Sequence, residues 1–158
     1  MARKDITMTE DEVLAFLEMG RTLQVATISS DGHPHLAPMW YVVEDGKVVF
    51  RTFTKSQKLV NLTRDPRITV LVESGEQYAE LRGVMIQGRA RLVTDRDIVL
   101  RIYGKITASY MMGGGDPEEL SGEALEAAYG RYADKNTAVV VEPDKVISWD
   151  HTKLGGVY

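Results

Sequence analysis

The chain has 158 residues and 44% hydrophobic content, which fits one domain around a single buried core, so residues 1–158 are expected to form one unit. Its formal charge of −4 argues against a general nucleic-acid or membrane-surface binder, and no run approaches the ~20 apolar residues of a membrane span. With no cysteine there is no disulfide, thiolate nucleophile or Cys-based zinc site, and the N-terminus lacks the apolar stretch of a signal peptide, so a cytoplasmic location is expected.

Thr9 followed by Glu12 forms a capping-box pattern, and Val13, Leu14, Phe16 and Leu17 then recur at helical spacing, which predicts an amphipathic helix over 9–20 closed by Gly20. The period then changes to two. Residues 22–29, 36–43 and 47–53 read as three strands of an antiparallel meander, separated by turns that contain Asp-Gly at 31–32 and 45–46. Ser56 can cap a short helix that must end before Asp65-Pro66, because the residue before proline is pushed out of the helical region. Residues 68–74 read as a strand, and 78–93 as a long kinked strand or a hairpin around Gly83 and Gly88.

Residues 95–109 have helical periodicity, which the three glycines at 113–115 break, marking a mobile loop. Pro117 can begin a further helix reaching about residue 134, weakened by Gly122. The chain then reads as strand, Pro-containing turn and strand over 137–150. The expected fold is α+β, mainly antiparallel β, with six strands in a barrel-like sheet and peripheral helices.

Residues 51–58, RTFTKSQK, stand out in an acidic chain. Hydroxyls on Thr52, Thr54 and Ser56, the amides of a helix start, and the charges of Lys55 and Lys58 together suit a phosphate, although such a cluster is also an ordinary solvated turn. It is no Walker loop, and no GxGxxG opens a helix after a strand. In the preceding strand Pro38 implies an edge or a bulge. Exposed backbone beside Trp40 suits the edge of a planar heterocycle, while Met39 and Trp40 also suit a core.

The run from Val25 to Glu73, followed by GVMIQGRARLV, resembles the pyridoxamine 5'-phosphate oxidase-like superfamily of split β-barrel flavoproteins, and more narrowly its branch that uses the deazaflavin F420. The carrying motifs are T-x-x-x-S-x-K at 52–58, N-L-x-x-D-P-R at 61–67 and G-x-A-x-L at 88–92. The resemblance implies a six-stranded split barrel and a homodimer with cofactor sites at the subunit interface. It implies that Thr52, Ser56 and Lys58 hold the cofactor phosphate with Lys55 helping, and that Pro38, Met39 and Trp40 lie along the ring. Arg51 is a further cofactor candidate, although alternation along a strand can turn it away from Thr52. Trp149 resembles an aromatic that approaches the cofactor from the partner subunit.

Two features of the oxidase proper are missing: a strand lysine that would fall near Trp40, and a basic C-terminal substrate motif, where this chain reads HTKLGGVY. The expected function is therefore hydride transfer between F420 and a small organic acceptor, not vitamin B6 oxidation. FMN is the alternative cofactor, and a non-catalytic flavin, deazaflavin or haem-related binder is the alternative class. His33, His35 and His151 show no ligand spacing, so no metal is expected. Tyr103, Tyr110, Met111 and Met112 are candidates for a lid over the acceptor, and Tyr129 and Tyr132 for proton donation or simple packing; no catalytic residue is assigned.

Overall fold

The computed structural model describes residues 6–111 and 122–155. Among these residues four α-helices, α1 (Glu10–Met19), α2 (Gln57–Arg64), α3 (Arg96–Met111) and α4 (Gly122–Ala133), surround one antiparallel sheet. Its strands are β1 (Leu23–Ile28), β2 (Pro34–Met39), β3 (Val42–Glu44), β4 (Lys47–Phe53), β5 (Arg67–Ser74), β6 (Arg82–Val93) and β7 (Asn136–Asp150), in the spatial order β2-β1-β5-β6-β7-β4-β3. The sheet is the α+β architecture that the sequence implies, with seven strands in place of six. Met112, the triple glycine and Pro117 lie outside the described residues.

The local signals act as their chemistry requires. Thr9 and Glu12 close a reciprocal capping box on α1, Ser56 Oγ accepts from Leu59 N–H to cap α2, and α2 ends at Arg64 before Asp65-Pro66. Asp45 and Gly46 both adopt positive φ, which gives the β3–β4 hairpin a two-residue turn matched to the twist of its strands.

Two strand readings are corrected, and a third is decided between its alternatives. The expected strand over 36–43 is two strands, because the backbone N–H and C=O of Tyr41 turn to the Tyr110 hydroxyl, at 3.3 and 3.0 Å, and interrupt the run. Its halves go to opposite ends of the sheet, so no three-strand meander forms. The 78–93 segment is one strand, β6, preceded by a single turn of 3₁₀ helix at 78–80. The 137–150 segment is also one strand, since the register passes from Gln87 opposite Lys145 to Gly88 opposite Pro143. Asp144 is thus left over as a bulge, a place where a proline is tolerated.

Side-chain alternation divides the apolar residues into two cores. Val48, Phe50, Val139 and Val141 face the interior of the curled sheet, with Leu23, Val25, Val70, Val84, Phe16 of α1 and Leu59 and Leu62 of α2. Val49, Ala138 and Val140 face the other way and are covered by Val99, Ile102 and Ile106 of α3 and Ala133 of α4. The centre of the sheet is therefore buried on both faces, and this explains the unbroken apolar run at 138–141.

Candidate functional site

The sheet does not close on itself. Strand β3 pairs with β4 only from Lys47 to Val49, so Phe50–Phe53 have no strand on that side, and β2 pairs only with β1. These two free edges border a cleft of about 360 Å³ lined by Pro38, Met39, Trp40, Arg51, Thr22 and Ile106. Four of the sequence candidates thus meet in one place. Pro38 sits on the edge strand opposite Gln24 with no bulge, so the edge-strand alternative is the one realised. Met39 turns inward to pack on the interior core, and Trp40 is 44% exposed in the gap between β2 and β3.

Trp40 owes its orientation to α3. Its ring stacks on that of Tyr110, with centroids 4.9 Å apart and planes 16° from parallel, and the Arg21 guanidinium lies 4.4 Å from the Tyr110 ring centroid. Burial raises the pKa of the Tyr110 phenol, so it stays protonated and serves both backbone groups of Tyr41. Tyr41 in turn donates to the carbonyl of Leu17 at 2.5 Å, tying the strand break to α1.

At the end of β4 a second group of candidates converges. Thr52 Oγ1 and Ser56 Oγ lie 3.0 Å apart, and Lys58 Nζ donates to Thr52 Oγ1 at 3.3 Å. Thr52 is buried, being on the inward face with Val48 and Phe50, and Lys58 is half-buried. Burial alone lowers the Lys58 pKa, and among the described residues no carboxylate pairs with it. A partly desolvated ammonium beside two hydroxyls and the first turn of a helix is an arrangement chemically suited to an anion.

The cradle is held by α2, and α2 is held by Asn61. This side chain is fully buried; it donates to Thr27 Oγ1 at 3.0 Å and accepts from Gln57 Nε2 at 2.8 Å, while Arg64 reaches both Asn61 Oδ1 and the carbonyl of Ile28. Asn61 stands in the N-L-x-x-D-P-R motif, but nothing in its own neighbourhood of the chain indicates that it reaches β1. Thr22 and Ile106 were likewise beyond sequence reasoning as cleft residues.

The other candidates lie apart. Lys55 is exposed on the turn. Arg51 lines the cleft, but its side chain points to the face of β4 opposite Thr52, where its guanidinium lies 3.6 Å from the Tyr103 ring centroid. It is thus separated from the cradle that its neighbour in sequence helps to build. Trp149 is half-buried at the far end of β7, with its ring laid across Gly83 so closely that a Cβ there would overlap it. Tyr103 stacks with Tyr129 and Tyr132, at 5.0 and 5.8 Å, so those tyrosines pack the α3–α4 pair. Among the described residues no three His, Asp or Glu side chains converge as metal ligands, and no helix is long and apolar enough to cross a membrane.

Residues 9–150 match the family described as pyridoxamine 5'-phosphate oxidase. A conserved hypothetical protein, Rv2991, from Mycobacterium tuberculosis is 37% identical over all of this chain and 94% of its own, with a TM-score of 0.88. A structure described as an F420 reductase is 21% identical over 84% of this chain and 94% of its own (TM-score 0.62), and the heme storage protein HutZ from Vibrio cholerae is 15% identical over 89% and 94% (TM-score 0.64), likenesses of fold. No curated protein matches the chain. With a family match over nearly its whole length and a 37% identical relative across all of it, this chain belongs to the pyridoxamine 5'-phosphate oxidase family.

Proposed function

We propose that this protein is an F420-dependent reductase that acts on a small organic acceptor in the cytoplasm, as a homodimer with its cofactor sites at the subunit interface. The observation that carries the reading is Lys58, a partly desolvated cation with no carboxylate partner among the described residues, set over the paired hydroxyls of Thr52 and Ser56. These residues fit a cofactor phosphate, and Lys55 stands near enough in the turn to add long-range attraction. Pro38, Met39 and Trp40 would flank the ring, with Trp40 held in place by Tyr110. Trp149 would reach the site of the partner subunit, since in its own protomer it lies across Gly83.

When bound, reduced F420 supplies a hydride, and a proton from solvent completes reduction of the acceptor. The chain's own contribution is to hold the phosphate, to orient the ring on the free sheet edge and to exclude water from the cleft. The apolar residues where the oxidase proper has a lysine favour F420 chemistry over vitamin B6 oxidation.

A fluorescence titration of the purified protein with F420, FMN and FAD at low salt tests this. Micromolar or tighter binding of F420, in preference to the flavins, is expected, followed by turnover on a panel of enones and quinones. Preference for FMN would make it an FMN oxidoreductase on the same site, whose phosphate demands the same cradle. Binding without turnover would favour a carrier, the class suggested by the fold it shares with the heme storage protein HutZ. Sedimentation equilibrium, with a dimer expected, tests the assembly.

A further inference from the structure

Arg51 carries a role distinct from the phosphate cradle. Its guanidinium is fixed on two sides: one face rests 3.6 Å from the Tyr103 ring centroid, and Nη1 donates to Asn136 Oδ1 at 3.3 Å. Tyr103 is itself backed by Tyr129 and Tyr132, so the group is braced before any ligand arrives. Nε is shielded from solvent and has no hydrogen-bond partner. Among the described residues carboxylates pair with Lys47, Arg67, Arg82, Arg91, Arg96, Arg101, Lys105 and Lys153, whereas none pairs with Arg51. Burial lowers its pKa, which marks it with Lys58 as a cation that folding has partly stripped of water without supplying a counter-charge.

The surroundings of this charge define what would satisfy it. Among the described residues Arg51 is the one charged side chain lining the cleft, whose other walls are Pro38, Met39, Trp40, Ile106 and Thr22. A braced guanidinium at the rim of an apolar, aromatic-walled slot matches an elongated planar body that ends in a carboxylate, because a planar fork binds a carboxylate through paired, charge-assisted hydrogen bonds. A phosphate held at Thr52, Ser56 and Lys58 lies on the other face of β4 and leaves Arg51 unused.

We propose that Arg51 anchors the carboxylate of a planar, conjugated acid that enters the cleft as the acceptor, so that this protein selects anionic over neutral acceptors. This rests on the cleft being the ring and acceptor site, as proposed above.

The test uses the full chain without cofactor, titrated calorimetrically with trans-cinnamate and with its neutral amide, trans-cinnamamide. The acid should bind about tenfold or more tighter than the amide, the scale of a charge-assisted contact. Arg51→Gln should erase that preference, and Arg51→Lys should keep part of it. Equal affinity for acid and amide, no saturable binding of the acid, or a preference that survives in Arg51→Gln would each overturn the proposal. The same variants are titrated with F420: Arg51→Gln should stay within about threefold of the parent, and a loss of about tenfold would overturn the proposal by making Arg51 a cofactor ligand. Should Arg51→Gln fail to fold by circular dichroism, Arg51→Lys decides, with an acid preference at least about threefold smaller than the parent's required. Failure of the cofactor reading shows separately, as F420 affinity that Lys58→Ala leaves unchanged.

Discussion

Replacing Lys58 by Met removes the ammonium while keeping most of its apolar stem, so it isolates the charge from the packing of α2. In the protein without cofactor the lost interaction is one hydrogen bond to Thr52 Oγ1, at 3.3 Å. Against that loss stands relief from holding a cation that burial disfavours, since desolvation is the sole cause that lowers its pKa. Thermal stability should therefore change little or rise slightly at neutral pH. Binding of a phosphate-bearing cofactor should weaken by about 1.5–3 kcal/mol, the worth of a hydrogen bond to a charged group, which is about 10- to 150-fold in Kd. The sign of the pH dependence follows from the direction of the shift. A cation whose folded-state pKa is depressed destabilises the fold while it is protonated, and the penalty fades as pH rises through that pKa toward the ordinary value of 10.5. The stability difference between Lys58→Met and the parent should thus be largest near neutral pH and shrink toward pH 10.5. Paired fluorescence titrations and thermal melts between pH 7 and 10.5 measure both quantities. A variant that loses stability at pH 7 yet binds F420 and FMN as tightly as the parent would refute the cradle, because Lys58 would then be structural.

Asn61→Leu leaves Thr27 Oγ1 without its donor and frees Gln57 and Arg64, so chemical denaturation should show a loss of about 1–3 kcal/mol. Gly83→Ala forces Trp149 off the strand, and should cost about 1–3 kcal/mol with a change in near-ultraviolet dichroism; in a Trp149→Leu background the same substitution should cost less. Asp65 is held down to about 2 chiefly by its hydrogen bonds to Arg67, so its contribution to stability is present above 3.8 and lost as pH falls toward 2. Asp65→Asn should flatten that acid limb in melts recorded from pH 5 to 2, and an unchanged limb would assign it to other carboxylates.

Much of the local structure was legible in the sequence because its causes lie within a few residues. The Thr9–Glu12 capping box, the Asp45-Gly46 turn and the stop at Asp65-Pro66 each involve neighbours in the chain. So does the cradle, where Thr52 ends a strand and Ser56 and Lys58 follow within the next turn. Strand alternation even carries the separation of Arg51 from Thr52, since adjacent strand residues must face opposite ways.

Distant pairings were not legible, and they decide the rest. Residues 36–43 have the pattern of one strand, but a phenol 69 residues away captures the backbone of Tyr41 and makes two. Pro143 carries the local signature of a turn, and only the register against β6 makes it part of a bulge in one long strand. Periodicity records which face of a strand is apolar; it does not say which strand lies beside it, because that is set by long-range packing whose partners are scattered along the chain. The sequence by itself thus determined the helices and their caps, the hairpin turns, the apolar faces and the closeness of Thr52, Ser56 and Lys58. The tertiary structure decided that the sheet stays open between β2 and β4, that Trp40 is braced by Tyr110, and that Arg51 faces an aromatic cleft with no carboxylate of the described residues paired to it.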